Sequence, residues 1–296
     1  MHEVIQSAVN VSTSSSSVVR EMVERVGSIQ SLKVADFSSD PDHNRSVLTL
    51  LGCRDALKEA ICAIFEIARE RLDIRLHRGE HPRIGIVDVV PFTPWRGVTL
   101  EDCKVLAWQV GEEIAQRFQV PVYFYGEAAR RPERRDLSVI RRGGYEALRE
   151  EIAVLPERHP DVGPLKVHPT LGATAVGARE ALIAFNVNLN TVDVRVAKAI
   201  ATRLREGFRA AKAIGVSLRT RNMVQVSVNV LDFRKNTLLE ILAFVKLEAQ
   251  RFGVQVVGTE IIGLVPLEAL VDVAGNVLGI PDLRIEQVVE YHLGHF

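Results

Sequence analysis

The sequence predicts an α/β (α+β) fold: two tandem ferredoxin-like β-α-β-β-α-β subdomains, residues 1–178 and 179–296, with a substrate cleft between their sheets. Three observations predict it. Alternating and helix-period apolar runs follow one another in the order β-α-β-β-α-β from Glu3 to Val90. The same order restarts near Leu182. The chain has 296 residues, long enough to build two cores rather than one. No residue-level repeat links the halves, so the duplication is one of topology. Helices on one side of each sheet leave it a second face, and two such faces opposed form the expected cleft.

Glu3–Val11 alternates and reads as a strand. Ser14–Ser17 supplies caps for a helix that carries Val18, Val19, Met22 and Val26 on one face. Ser31–Phe37 and Ser46–Leu51 are two strands joined by a polar loop, Ser38–Arg45. A long helix runs from about Arg54 to Leu72, with Leu57, Ala60, Ile61, Ile64, Phe65 and Ala68 at helical spacing. Ile84–Val90 is an apolar strand. Thr99-Leu-Glu-Asp102 is a capping box that opens a helix to about Phe118, and Val120–Tyr125 is a strand. The arginine-rich stretch Gly126–Arg142 reads as an ordered surface loop with one short helical piece. The proline- and glycine-bearing stretch Pro156–Gly172 reads as a linker or binding loop. Beyond it come a strand at Leu182–Leu189, a helix at Val192–Phe208 and strands at Ile214–Arg219 and Val224–Leu231. A helix capped by Thr237-Leu-Leu-Glu240 runs to about Arg251, and a last strand spans Val254–Thr259.

Composition narrows the function classes. Lys and Arg total 37, as do Asp and Glu, so no net basic field recruits nucleic acid or an anionic membrane. Cys53, Cys62 and Cys103 match no pairing motif and read as free thiols of a reducing compartment. No signal-like start and no spanning apolar run is present, which sets the expectation of a cytoplasmic protein. There is no P-loop, dinucleotide-binding glycine pattern or serine-nucleophile elbow.

The most informative stretch is His77-Arg-Gly-Glu80-His81-Pro-Arg83. It concentrates imidazoles, a carboxylate and guanidiniums where no apolar periodicity asks for them. Such a group handles protons and anions, because His titrates near neutrality and Arg pairs with carboxylates in a fixed fork. The spacing also matches an inverted zinc-peptidase pattern. Gly79 and Pro82 disfavour the helix that zinc ligation needs, so no metal is expected. As general base the segment makes better sense, with Glu80 or Asp88 orienting a ring. Asp40-Pro-Asp-His43-Asn44-Arg45 reads either as a solvated turn or as a strand-end carboxylate clamp. Arg130-Arg131-Pro-Glu-Arg134-Arg135 reads as a solvated charged loop. Gly163–Gly172 fixes an irregular backbone whose N–H groups are free to meet a ligand. Asn186 and Asn188 read as amides beside a strand, the plainer reading being hydrogen bonding within a turn.

At these residues the chain resembles the formiminotransferase family. The matching stretches are Asp40-Pro-Asp-His-Asn-Arg-Ser-Val47, His77-Arg-Gly-Glu-His-Pro-Arg83, Val87-Asp-Val-Val-Pro-Phe92 and Pro121-Val-Tyr-Phe-Tyr-Gly-Glu-Ala-Ala129. Arg131-Pro-Glu-Arg-Arg135, Gly172-Ala-Thr-Ala-Val-Gly-Ala-Arg179, Leu182-Ile-Ala-Phe-Asn-Val-Asn188 and Gln225-Val-Ser-Val-Asn-Val-Leu-Asp-Phe233 continue them in order. The resemblance covers the formiminotransferase part and not the cyclodeaminase domain of the animal bifunctional enzyme. It implies transfer of a formimino group from N-formimino-L-glutamate to N5 of tetrahydrofolate, a co-substrate, in histidine degradation.

The resemblance puts the catalytic histidine on His81. It puts the folate-binding loop on Gly163-Pro164-Leu165-Lys166-Val167-His168-Pro169-Thr170-Leu171-Gly172. Arg45, Arg83 and Lys166 are candidates to position substrate carboxylates, with Asn10, Asn44 and Glu80 beside them. A homodimer is implied, with small-molecule substrates (formiminoglutamate and folate) as partners. The chain departs from the family where Thr13 and Ser14 replace a Glu-Gly pair, at Ser38, and at Leu171, where a Trp is usual. Two alternatives follow: another donor, such as 5-formyltetrahydrofolate, or folate binding without catalysis.

Overall fold

The computed structural model describes residues 3–79, 82–218 and 220–293. The chain divides into two compact units, Met1–Glu180 and Ala181–Phe296.

In the first unit, β1 (Val4–Val11) turns Ile5, Val9 and Val11 into the core. The helix α1 (Ser16–Gly27) lays Val18, Val19, Met22 and Val26 against the same core. The strands β2 (Leu32–Asp40) and β3 (Arg45–Gly52) form a hairpin. Next comes α2 (Arg54–Arg71), in which Leu57, Ile61, Ile64 and Phe65 are almost wholly buried. Each contributes about 1.5–3 kcal/mol of transfer free energy. β4 (Val87–Arg96) completes an antiparallel set in the order β2-β3-β1-β4, the ferredoxin-like arrangement.

The chain then adds to that module. The helix α3 (Leu100–Phe118) opens with both bonds of the Thr99/Asp102 capping box and leads to β5 (Val122–Gly126). Two short helices follow, α4 (Leu137–Ile140) and α5 (Gly144–Glu151). β6 (Thr174–Ala178) then inserts between β4 and β5, parallel to both. The sheet therefore has six strands, in the order β2-β3-β1-β4-β6-β5.

The second unit repeats the module. β7 (Ile183–Leu189), α6 (Val194–Gly207), β8 (Ala211–Leu218), β9 (Met223–Val230), α7 (Leu238–Arg251) and β10 (Val256–Ile262) give an antiparallel sheet, β10-β7-β9-β8. α8 (Leu267–Leu278) and α9 (Val289–Leu293) follow. Phe185, Val187 and Leu189 of β7 and Val224, Val226 and Val228 of β9 share one core with Ile200 and Leu204 of α6 and Ile241 and Val245 of α7. Among the described residues no helix is long and apolar enough to cross a membrane.

Several expected boundaries move. The polar loop Ser38–Arg45 shrinks to a turn, because Ser38, Ser39 and Asp40 pair with Val47, Ser46 and Arg45. The strand expected at Ile84–Val90 begins at Val87 and continues through Pro91 and Pro94 to Arg96. Ile84 O and Ile86 N bond the 171–173 segment instead. Pro156–Gly172 is no linker between the units but packs within the first, where Val162 pairs with Val122 of β5.

Candidate active site

The segment after α2 is tied down at both stems. Ile74 N donates to Thr170 O at 2.8 Å, Ile86 N donates to Leu171 O at 2.8 Å, and Ala173 N donates to Ile84 O at 3.0 Å. The end of the 163–172 loop thus brackets the His77–Arg83 segment. Within it, Asp73 caps the short turn Ile74–Leu76 by accepting from Arg75 N.

The segment then meets the β2–β3 turn at one asparagine. Asn44 adopts a left-handed φ of 45°, which Asn tolerates better than most residues. Its Oδ1 accepts from Ser14 N at 2.9 Å and from Ser14 Oγ at 3.0 Å. Its Nδ2 donates to Arg78 O at 2.8 Å, and its carbonyl oxygen lies 2.9 Å from His77 Nε2. A carbonyl only accepts, so His77 Nε2 carries the proton. Gly79 presses on the same turn: a Cβ there would stand 2.3 Å from His43 O. Glu80 and His81 lie outside the described residues, but the three residues before them are held by these contacts.

His77 is 5 % exposed, and its Nδ1 has no hydrogen-bond partner among the described residues. Burial holds its imidazole below the ordinary value, against the opposing pull of the Asn44 carbonyl. Arg83 Nη2 donates to Glu146 Oε1 at 2.8 Å. Burial would raise the Glu146 carboxyl; a bond to its own backbone N–H and the Arg83 guanidinium outweigh that and hold it low. Ile74, Arg75, His77, Arg78, Gly79, Arg83, Tyr145, Glu146 and Arg149 line a cavity of about 490 Å³. Four guanidiniums and one carboxylate line it; Arg75 and Arg149 also pair with Asp73 and Glu150 beside it, which leaves a small cationic excess suited to substrates that carry carboxylates.

Arg45 is half-buried at the start of β3. Burial first and Arg141 second push its guanidinium down to about 10, with Asp88 and Asp40 pulling the other way. It remains a cation at neutral pH. Asp88 is 2 % exposed; it accepts from Ile84 N at 2.8 Å and pairs with Arg141. Its role here is to hold the stem of the segment, and no described histidine bonds to it. Asn10 stands half-buried on β1 and donates to Ala8 O at 2.9 Å, away from the Asn44 contacts.

The 163–172 loop is half core and half surface. Gly163, Leu165, Lys166 and Pro169 are exposed, Pro164, His168 and Thr170 half-buried, and Val167, Leu171 and Gly172 buried. Its backbone is less available than the sequence suggested. His168 N and Gly172 N bond each other's carbonyls, and His168 Nδ1 accepts from Leu171 N at 3.0 Å and from Thr170 N at 3.2 Å. Leu171 fits the core without the polar edge a Trp would bring.

One further reading needs correction. The arginine-rich stretch is not simply solvated: Arg134 is 2 % exposed and pairs with Asp161 at 2.8 Å. Asn186 and Asn188 lie within β7, as the strand expected at Leu182–Leu189 has them, and the turn alternative falls away. Composition alone missed Arg141 and Glu146 as partners of the site, because each reaches it from far along the chain. Among the described residues no group of three or more His, Cys, Asp or Glu is placed to hold a metal ion.

Comparison with known proteins covers both units up to residue 283. The profile of the formiminotransferase domain, N-terminal subdomain, matches residues 4–179, and that of the formiminotransferase domain matches residues 184–283. A glutamate formimidoyltransferase of Streptococcus pyogenes serotype M1 is 41 % identical over 280 residues, 93 % of each chain. One from Thermoplasma acidophilum is 41 % identical over 262 residues, 86 % of each. The formimidoyltransferase-cyclodeaminase of Rattus norvegicus is 42 % identical over 248 residues, 81 % of this chain and 46 % of that longer protein.

Proposed function

We infer what this chain does from one premise: it belongs to the formiminotransferase family, whose profiles match both of its halves. It is a transferase that moves the formimino group of N-formimino-L-glutamate to N5 of tetrahydrofolate, giving 5-formiminotetrahydrofolate and L-glutamate. The observation that carries this is the 41 % identity to a glutamate formimidoyltransferase over 93 % of both chains. The cationic cavity beside the segment that leads to His81 supports it, because both substrates carry carboxylates.

His81 is the general base of this reading. The N5 amine attacks the formimino carbon and a tetrahedral intermediate forms. His81 takes the proton that N5 sheds and returns it to the departing glutamate nitrogen as the carbon–nitrogen bond breaks. Arg45, Arg83 and Lys166 position the carboxylates, and holding two reactants in register supplies much of the acceleration. Arg83 suits that role because its partner Glu146 is 62 % exposed at the side chain and can give way to a ligand carboxylate. Gly163–Gly172 holds the folate, with Lys166 and Leu165 on its exposed half. The bonded turn at His168–Gly172 gives that half a rigid base. Asn44 acts on the segment rather than on substrate. The chain works in the cytoplasm as a homodimer, which light scattering checks.

The departure at Thr13 favours a test of donor identity. Thr13 is 5 % exposed and carries no carboxylate where the family has one. Turnover of formiminoglutamate and of 5-formyltetrahydrofolate, each measured with purified protein, separates the readings. Product from formiminoglutamate and tetrahydrofolate supports the first; product only from the other donor, or binding with no product, overturns it.

A further inference from the structure

The end of the 163–172 loop closes into a small turn. His168 and Gly172 form an antiparallel bridge, in which His168 N donates to Gly172 O at 2.9 Å and Gly172 N to His168 O at 3.0 Å. Pro169 follows His168, and its ring fixes φ near the value a turn needs. Gly172 takes a left-handed φ of 75° and lies against Ile84; a Cβ there would stand 2.5 Å from Ile84 O. Val167 and Leu171 anchor the turn in the core, at 6 % and 1 % exposed.

One side chain bonds across that turn. His168 Nδ1 accepts from Leu171 N at 3.0 Å and from Thr170 N at 3.2 Å. A ring nitrogen that accepts keeps its lone pair, so the imidazole is neutral and its proton sits on Nε2. Burial first, and the Arg69 guanidinium of α2 second, hold the ring below its ordinary value, which keeps it neutral at neutral pH.

A trans peptide carries its N–H and its C=O on opposite sides, so fixing one aims the other. The peptide that gives Leu171 N–H to the ring carries the Thr170 carbonyl, which accepts from Ile74 N at 2.8 Å. The next peptide gives Gly172 N–H to His168 O and carries the Leu171 carbonyl, which accepts from Ile86 N at 2.8 Å. Ile74 precedes His77 and Ile86 follows Arg83, so these two carbonyls hold the two stems of the catalytic segment. We propose that His168 is a positioning residue, whose ring and carbonyl set the two peptide planes that lock the folate loop to the catalytic segment. This rests on the formimino transfer inferred above, and the ring acts through the Thr170–Leu171 peptide without touching a reacting atom. Order imposed on the loop in this way lowers the cost of binding folate, and order passed to Ile74 and Ile86 keeps the segment that leads to His81 in register with it.

The test uses the full chain with H168N and H168Q. The asparagine amide oxygen reaches the place of Nδ1 and can accept both N–H groups, whereas that of glutamine reaches the place of Nε2 and leaves them unserved. In H168Q, amide hydrogen exchange at Thr170, Leu171 and Ile74 quickens about 5- to 30-fold, KM for tetrahydrofolate rises and kcat falls by similar factors, and H168N stays within about threefold of wild type in each. Nitrogen NMR of the wild-type ring shows its proton on Nε2 at neutral pH. The two variants equally intact or equally impaired, or a ring protonated on Nδ1, overturn the proposal. Should H168Q fail to fold, the wild-type tautomer and the H168N kinetics decide: a proton on Nδ1 or an impaired H168N overturns it. Exchange is read without turnover, so a wild type that forms no product while H168Q quickens exchange at Ile74 keeps this inference and sinks the reaction. Unchanged exchange at Ile74 in H168Q sinks the inference whatever the turnover.

Discussion

Alanine at position 79 tests whether the site depends on the asparagine-centred contacts described above. The added Cβ would lie 2.3 Å from His43 O and 2.9 Å from His43 C, against 3.4–4 Å for ordinary contact. The turn it meets is not free to yield, because His43 N is held by Asp40 Oδ1 at 2.9 Å and Asn44 N by Pro41 O at 3.2 Å. The segment must therefore withdraw by about 1 Å, loosening its bonds to Asn44. A displacement of that size at a reacting group costs about a hundredfold in rate, or about 2.7 kcal/mol. The folded state loses less: two neutral hydrogen bonds contribute about 1 kcal/mol each, a few degrees in a protein of this size. Steady-state kinetics with both substrates and a thermal melt check this. The expected pattern for Gly79→Ala is a large fall in kcat with KM little changed and a small fall in Tm. A kcat within about threefold of wild type would refute the reasoning.

Arg83→Met removes a charged donor to a substrate carboxylate and raises the KM of one substrate about tenfold or more, with the other unchanged; kinetics with each substrate varied in turn checks it. Burial holds His77 below its ordinary 6.5, so the unfolded chain takes up that proton first on acidification. Its contribution to stability is full above about pH 6.5 and is lost as pH falls towards the folded-state value. Melts between about pH 7.5 and 5.5 should show a steeper loss in wild type than in His77→Gln, which can still donate to Asn44 O. Arg134→Met leaves Asp161 buried and unpaired and lowers stability by about 3–5 kcal/mol in urea titration, with little change in the KM values.

Much of the fold was legible because local signals and core packing agree. The Thr99/Asp102 and Thr237/Glu240 boxes form as the sequence implies, and the buried faces of α1 and α2 follow their helical spacing. What was not legible depends on distant partners. Pro91 reads as the end of a strand, yet β4 continues through it between β1 and β6. Ile84 and Ile86 read as strand, but Gly85 and Gly172 cross there and the loop takes their backbone bonds. Arg134 is indistinguishable by composition from the exposed Arg135; its partners Asp161, Glu157 O and His159 O, far along the chain, hold one inside and not the other.

The candidate site divides the same way. The His77–Arg83 cluster stands out by residue type alone. The role of Asn44 comes from a left-handed turn touching two remote segments, which no local pattern encodes. The Asn186–Asn188 spacing did carry a signal: in a strand, residues two apart share a face.

The central claim is a formimino transfer that turns on one imidazole. The measurement that tests it most directly is the rate of 5-formiminotetrahydrofolate formation from formiminoglutamate and tetrahydrofolate, for wild type and for His81→Ala. The account predicts steady product from wild type and a loss of about a hundredfold or more in the variant, its melting temperature preserved. Equal rates in the two proteins, or no product from wild type, would contradict it.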